Sequence, residues 1–108
     1  MSTPITRVTL FKIPDPADQE KLFEQYKGIT TRATKDGKPY ILSLTAGPAF
    51  PDQRSQGYTV AAVSKFATLE DMKYYDEGCP THAQLKGVVK GISQGVMTVY
   101  FQSVTSDK

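Results

Sequence analysis

The sequence predicts an α+β fold in which one four-stranded antiparallel sheet carries helices on one face. Its 108 residues are the length of one domain with a core of ordinary size. Four short segments are rich in β-branched and aromatic residues, as strands are. Two segments with apolar residues at helical spacing separate them, in the order β-α-β-β-α-β. We therefore predict a single domain over residues 1–108, with frayed tails at residues 1–3 and 103–108.

The opening third of the chain predicts a strand followed by a helix. Ile5–Ile13 alternates between two faces, and the proline after it ends the strand. One face carries Arg7, Thr9 and Phe11, and the other carries Val8 and Leu10. Asp15 can cap a helix over residues 16–33 that begins with Pro16.

The middle of the chain predicts two strands and a broken helix. The strands are Pro39–Ala46, which follows a turn signal at residues 35–38, and Gly57–Phe66. A capping-box pattern at Thr68 starts the helix, and the sequence Gly-Cys-Pro at residues 78–80 breaks it. A second capping-box pattern, Thr81 with Gln84, starts a shorter helix. Its apolar stripe is Leu85, Val88, Val89 and Ile92.

The last strand, Gly95–Gln102, completes the order of a ferredoxin-like sandwich. Helices can cover only one face of such a sheet, yet three of its strands carry apolar side chains on both faces. A monomer would expose several hundred Å² of apolar surface, which is more than most monomers show. We therefore predict a homodimer with two-fold symmetry that packs one sheet against the other.

Composition and charge exclude several classes of function. The net charge is +2 and the lysines are scattered among carboxylates, so we expect no nucleic-acid partner. No segment approaches the roughly 20 apolar residues of a membrane span, and we expect no membrane association. A lone cysteine, Cys79, and the lack of a signal-peptide pattern indicate a cytoplasmic protein. Phosphate-loop and dinucleotide motifs are absent, and Cys79 with His82 is half of a zinc site, so we expect no cofactor and no metal.

Three segments of the chain carry a resemblance to a known family. They are residues 7–13 (RVTLFKI), Gly57–Phe66, and residues 74–85 (YYDEGCPTHAQL) across the broken helix. In order and spacing over nearly the whole chain they resemble the stress-responsive dimeric α/β-barrel (Dabb) proteins. The resemblance implies two ferredoxin-like subunits whose sheets close into a barrel, with a pocket in each subunit between sheet and helices.

The resemblance also implies two kinds of function. Many members of the family have no assigned activity, and some are heat-stable stress proteins. One plant branch is a polyketide cyclase that needs no cofactor. In that branch the histidine that matches His82 is the general base, and a tyrosine a few residues upstream assists it. Asp76 stands at the matching tyrosine position here, while Arg7 and Val60 stand where the family and the enzyme have further histidines.

His82 is the only histidine in the chain, and its ordinary pKa near 6.5 suits a general base at neutral pH. We take His82 and Tyr75 as candidate catalytic residues. We expect the ligand pocket to be lined by Arg7, Thr9, Phe11, Tyr58, Val60, Tyr74, Tyr75, Cys79, His82 and Leu85. The structural alternatives are that the tyrosines belong to the core, that His82 packs at a helix start, and that Arg7 pairs with a carboxylate at the dimer interface.

Two hypotheses for function remain open at the level of sequence. The first is a dimeric barrel that binds a small apolar or aromatic molecule, or that protects by its own stability without binding one. The second is a cofactor-independent cyclase or lyase that uses His82 as base. A third hypothesis, an RNA-recognition module, shares the element order, and Gly57-Tyr58 resembles part of its third-strand motif. Val60 and Ala62 on the same face as Tyr58 argue against it, because base stacking needs aromatic side chains there.

Overall fold

A computed structural model describes residues 3–105 of the chain, and the predicted fraying of residues 1–2 and 106–108 concerns positions outside that range. The elements follow one another as β1 (Ile5–Lys12), α1 (Pro16–Tyr26), α2 (Ile29–Arg32), β2 (Thr34–Lys35), β3 (Lys38–Pro39), β4 (Ile41–Pro48), β5 (Val60–Phe66), α3 (Leu69–Glu77), α4 (Pro80–Ile92) and β6 (Gly95–Gln102). A short 3₁₀ turn, Gln53–Ser55, lies in the loop before β5.

The four long strands form one antiparallel sheet in the order β4-β5-β1-β6. The first strand in the sequence therefore lies inside the sheet, between β5 and β6. This is the predicted ferredoxin-like arrangement, and it confirms the α+β class. The four helices pack on one side of the sheet, where the buried side chains form a single core.

The two faces of the sheet differ in what lies on them. The covered face lies under the helices and carries Ile5, Arg7, Thr9 and Phe11 of β1 with Val60, Ala62, Ser64 and Phe66 of β5. The open face carries Val8, Leu10, Ala61, Val63, Met97, Val99 and Phe101. The helices lie on the other side of the sheet, and the loop before β5 approaches part of the open face, where Ala49 and Gln56 line a cavity together with Leu10 and Met97.

The first helical segment differs from its prediction. A single helix over residues 16–33 is wrong, because the chain forms two helices that meet at Gly28. Gly28 has φ of +72°, a left-handed conformation that ends the first helix and that other residues adopt at a cost. The predicted cap is confirmed, since the Asp15 carboxylate accepts a hydrogen bond from the backbone N–H of Ala17 at 2.9 Å.

The turn signal at residues 35–38 produces a small hairpin of β2 and β3 that the sequence reading missed. Asp36 and Gly37 both have positive φ (54° and 79°), as the two central residues of a type I′ turn require. The hairpin uses Pro39, so the following strand, β4, begins at Ile41 and extends to Pro48 instead of ending at Ala46.

The second helical segment breaks between α3 and α4 where residues 78–80 predicted it. Thr68 caps α3 as predicted, because its hydroxyl accepts from the N–H of Asp71 at 3.0 Å. The predicted capping box at Thr81 is wrong. Cys79 is the N-cap residue of α4, with Pro80 in the first turn and no side-chain cap bond. His82 therefore lies in the first turn of α4, on its buried side.

Candidate functional site

A cavity of about 340 Å³ lies between the covered face of the sheet and the helices α1 and α4. Its size is at the small end of the range for ligand pockets. Its wall combines aliphatic and aromatic side chains with a few polar ones. The lining residues are Arg7, Thr9, Phe11, Tyr26, His82, Leu85, Lys86, Val89, Lys90, Val96 and Thr98.

Arg7 is held in the cavity wall by a network of hydrogen bonds. Its Nη2 donates to Oδ1 of Asp76 at 2.7 Å, and its Nη1 donates to the hydroxyl of Thr9 at 2.7 Å. That hydroxyl lies 3.1 Å from the hydroxyl of Thr98 on the neighbouring strand. The side chain of Arg7 is only 9% exposed, so the pairing with Asp76 is what makes a buried guanidinium tolerable. The partner is in the same chain and under the helices, and the expectation of a pairing at the dimer interface is wrong.

His82 is fixed by two contacts with Tyr75. Its Nδ1–H donates to the backbone carbonyl of Tyr75 at 2.7 Å. Its ring also stacks on the phenol ring of Tyr75, with the centroids 3.6 Å apart and the planes 10° from parallel. Because Nδ1 carries the proton, Nε2 is the nitrogen with the free lone pair. Nε2 has no hydrogen-bond partner among residues 3–105, and His82 lines the cavity.

Burial lowers the pKa of His82 to about 4, with the nearby charges of Arg7 and Lys86 acting in the same direction. The hydrogen bond to the Tyr75 carbonyl opposes this shift of the pKa, and Asp76, whose Oδ1 lies 3.9 Å from Nδ1, opposes it less strongly. The imidazole is therefore neutral at physiological pH. It can accept a hydrogen bond from a ligand, but it is a weaker base than an ordinary histidine.

Five of the ten residues that were expected to line the pocket do so: Arg7, Thr9, Phe11, His82 and Leu85. Tyr75 lies behind His82. Its phenol oxygen is buried without a hydrogen-bond partner, and burial raises its pKa. Tyr74 packs edge-on against Tyr40 and donates from its hydroxyl to the carbonyl of Thr34 at 3.2 Å. The other expected residues lie elsewhere: Cys79 is buried at the break before α4, and Tyr58 and Val60 line a second cavity of about 320 Å³ at the loop before β5.

Six lining residues were not expected from the sequence. They are Tyr26, Lys86, Val89, Lys90, Val96 and Thr98. Tyr26 and Val89 belong to the apolar helical stripes, which the sequence reading assigned to the core. Val96 and Thr98 lie on the same face of β6 as Tyr100. Their pairing with Phe11 and Thr9 of β1 places them on the covered face, and the sequence of β6 alone does not indicate this. Lys86 and Lys90 are spaced by four residues beside Leu85 and Val89, and this spacing places them along one edge of the stripe.

The arrangement suits an organic ligand better than a metal ion. Among the described residues no three His, Cys, Asp or Glu side chains come together as metal ligands.

No helix within the described range has the length and apolar character needed to cross a bilayer.

Comparison with known proteins places this geometry in context. A family model for the stress responsive A/B barrel domain matches residues 5–103. A fusaristatin A biosynthesis cluster protein of Gibberella zeae is 43% identical over 99 residues, covering 91% of this chain and 72% of that protein. The solved structures that share the fold include the following two. A hydroxynitrile lyase from Passiflora edulis matches with a TM-score of 0.77 at 10% identity, covering 98% of each chain. A dimeric ferredoxin-like protein of unknown function from Jannaschia matches with a TM-score of 0.75 at 15% identity, covering 93% of this chain and 99% of that one.

Proposed function

The chain belongs to the stress-responsive A/B barrel domain family, and from that premise we propose that it binds a small apolar or aromatic molecule as a dimeric α/β barrel. The cavity between the covered face and α4 carries this proposal. Its wall is mostly aliphatic and aromatic, and a few fixed polar groups face it, which is the composition of a ligand pocket. A stress response and a cytoplasmic location belong to the same proposal, and the buried, unpaired thiol of Cys79 is compatible with a reducing compartment.

The dimer is proposed to form through the open face. Met97, Val99 and Phe101 of β6 are about half exposed, and Val8 and Leu10 of β1 lie beside them across the strand pairing. Such a contiguous apolar surface is rare on a monomer. The Jannaschia protein with the same fold is described as dimeric, which supports a second copy of this chain as the occupant.

Binding is tested with 2-naphthamide, a neutral fluorescent aromatic that is small enough for the cavity. We expect saturable binding to the wild-type protein and loss of binding in Val96→Trp, because the indole enters the cavity from a side chain that is half exposed. The matched control is Tyr100→Trp. Tyr100 lies on the same face of β6 with 52% exposure but does not line the cavity, so this variant keeps the affinity. Equal affinity in the two variants, or no binding to the wild type, contradicts the proposal.

A second candidate function is proton-transfer catalysis with His82 as general base. The observation in its favour is the fixed tautomer, since Nε2 carries a free lone pair and His82 lines a ligand-sized cavity. The hydroxynitrile lyase from Passiflora edulis has the same fold, so this fold can carry an enzyme, which supports the candidate. The pKa of about 4 weighs against it, because a useful base has a pKa near the working pH. Asp76, the nearest carboxylate, is held by Arg7 and leaves His82 without an acidic orienting partner. Binding is therefore the better-supported function.

Catalysis is tested by hydrogen–deuterium exchange at the methyl group of 2-acetylnaphthalene in D₂O, followed by NMR. A general base at Nε2 would take a proton from that carbon and return a deuteron to the enolate. The test variant is His82→Asn, whose amide N–H can still donate to the carbonyl of Tyr75. Exchange that is faster than buffer with the wild type and equal to buffer with His82→Asn supports catalysis. Equal rates for the two proteins exclude His82 as the base.

A further inference from the structure

The charges around the cavity are of one sign, which is not expected of a pocket for neutral molecules. The lining includes Arg7, Lys86 and Lys90, and it includes no carboxylate. Asp76 lies behind Arg7 and forms an ion pair with it, and neither lysine forms a salt bridge with a described residue. With neutral His82 counted as zero, the three cations and Asp76 leave a local charge of +2, which equals the net charge of the whole chain.

The lysines keep their charge free for a ligand. Lys86 donates to the backbone carbonyl of Asp76 and not to its carboxylate, so its positive charge is not neutralised. Lys90 has neither a salt bridge nor a hydrogen bond to any described residue. Both side chains extend from α4 at the mouth of the cavity, one turn apart.

Arg7 supplies directed hydrogen-bond donors at the inner wall. Its bonds to Asp76 and Thr9 use three N–H groups, and the guanidinium carries more than three. The remaining N–H groups have no partner among residues 3–105, although the side chain is nine-tenths buried. Arg7 lines the cavity, so an oxyanion there could accept charge-assisted hydrogen bonds from these N–H groups. The aliphatic and aromatic wall beside it would take the apolar body of the same ligand.

We propose that the cavity prefers an apolar carboxylate, bound with its apolar body against Phe11, Leu85 and Val89 and its anionic group toward the guanidinium of Arg7 and the two lysines. This inference rests on the proposed function, because it names the ligand class of the same cavity.

The experiment compares two probes of equal shape, 2-naphthoate and neutral 2-naphthamide, by fluorescence titration at pH 7.5 in 20 mM and 500 mM NaCl. We expect the wild type to bind the acid about tenfold more tightly than the amide in low salt, as charge-assisted hydrogen bonds do. The preference should shrink in high salt, where exposed lysines are screened. Lys86→Gln and Lys90→Gln should each reduce it. Lys73→Gln, an equal charge change at an exposed position of α3 away from the cavity, should leave it unchanged.

The possible outcomes separate this inference from the proposed function. Amide binding that Val96→Trp abolishes, with no preference for the acid, overturns the charge preference and leaves the ligand cavity standing. An acid preference that is equally reduced by Lys73→Gln shows general attraction to a basic protein and also overturns it. Failure of both probes to bind the wild type overturns the cavity function and this inference together.

Discussion

Each face of the sheet carries some side chains that are unusual for their surroundings: polar groups within the largely apolar covered face, and apolar groups on the open face. The covered face buries a guanidinium and hydroxyls, at Arg7, Thr9 and Ser64. The open face leaves apolar side chains in contact with solvent, with Val99 53% exposed and Phe101 50% exposed. Proteins ordinarily bury apolar groups and expose charged ones. These exceptions suggest that neither face serves packing alone.

Each face departs from the ordinary pattern for a different reason. Arg7 and Thr9 are tolerable on the covered face because they bond to each other, because Arg7 pairs with Asp76, and because both residues line a cavity. Apolar groups on the open face are tolerable if a second copy of the chain covers them. This contrast is what the proposed function predicts, with recognition of a small molecule on the covered face and self-association through the open face.

The first prediction concerns the open face. Val99→Asp should convert the dimer into a monomer, because dimerisation would then bury a carboxylate without a partner. A cost of about 3 kcal/mol or more corresponds to a rise of at least about a hundredfold in the dimer dissociation constant. Sedimentation velocity or native mass spectrometry measures it. Since Val99 is half exposed in the single chain, the variant should still fold.

The matched control for Val99→Asp is Leu69→Asp. Leu69 has a similar exposure of 43% but begins α3 on the helical side of the sheet, where an acidic residue also favours the helix N-terminus. This variant should remain dimeric. A monomeric wild type, or dissociation in both variants, contradicts an interface on the open face.

The second prediction concerns the pH dependence of the covered face. The pKa of His82 is about 4 in the folded chain against 6.5 for an ordinary histidine. As the pH falls below about 6.5, the unfolded chain binds the proton first. The stability from the neutral imidazole is therefore complete above about pH 6.5 and is lost as the pH falls toward 4. The loss should reach about 3 kcal/mol, measured by urea unfolding at pH 7 and pH 4.

Carboxylates also titrate in this pH range, so the wild type is compared with His82→Asn. The asparagine can keep the hydrogen bond to the carbonyl of Tyr75 and cannot take up a proton. The difference in unfolding free energy between the two proteins should change with pH as stated. A difference that stays constant from pH 7 to pH 4 means that the burial of His82 does not lower its pKa.

The third prediction concerns the ion pair in the cavity wall. Asp76→Asn leaves the nearly buried guanidinium of Arg7 without its counter-charge, and the free energy of unfolding should fall by about 2 kcal/mol. This value is smaller than for a fully buried pair because the side chain of Asp76 is 32% exposed. The variant should also bind 2-naphthoate more tightly, since the cavity loses its one opposing negative charge.

Glu24→Gln provides the comparison for Asp76→Asn. Glu24 and Lys27 also approach to 2.7 Å, but both side chains are more than 60% exposed. Solvent screens such a pair, and its removal should leave stability unchanged. Equal losses in the two variants would show that the burial of Arg7 is not what makes its pairing important.

The division between the two faces was visible in the sequence for β1 but not for β6. In β1 the alternation of Arg7, Thr9 and Phe11 with Val8 and Leu10 predicted both faces correctly. In β6, Val96 to Phe101 are apolar or small on both faces, so alternation carries no signal and only the pairing with β1 assigns them. The helix break at residues 78–80 was readable because glycine and proline act locally. The break at Gly28 was missed because an isolated glycine is also tolerated inside helices.

The candidate site was only partly readable for a related reason. Its central contact joins Arg7 and Asp76, which are 69 residues apart, and no local pattern predicts such a pair. Tyr26 and Val89 lie in helical stripes that have the same spacing whether they face a packed core or a cavity. The resemblance to a family identified Arg7 and Asp76 as departures from its pattern. The structure shows that the two departures meet in one ion pair.

The last prediction concerns the phenol of Tyr75, which the sequence presented as a catalytic group. Its oxygen is buried and unpartnered, and its ring supports His82 by stacking. Tyr75→Phe keeps the stack on His82 and removes a hydroxyl that loses its hydrogen bonds to water on folding and gains none in the protein. The free energy of unfolding should therefore rise by about 1 kcal/mol. Tyr100→Phe removes an exposed hydroxyl and should change nothing. Affinity for 2-naphthamide should be the same in wild type and Tyr75→Phe, because the phenol does not reach the cavity wall. A loss of binding together with a gain in stability would instead show that the hydroxyl is retained for the ligand, and it would move Tyr75 from the support of His82 into the site itself.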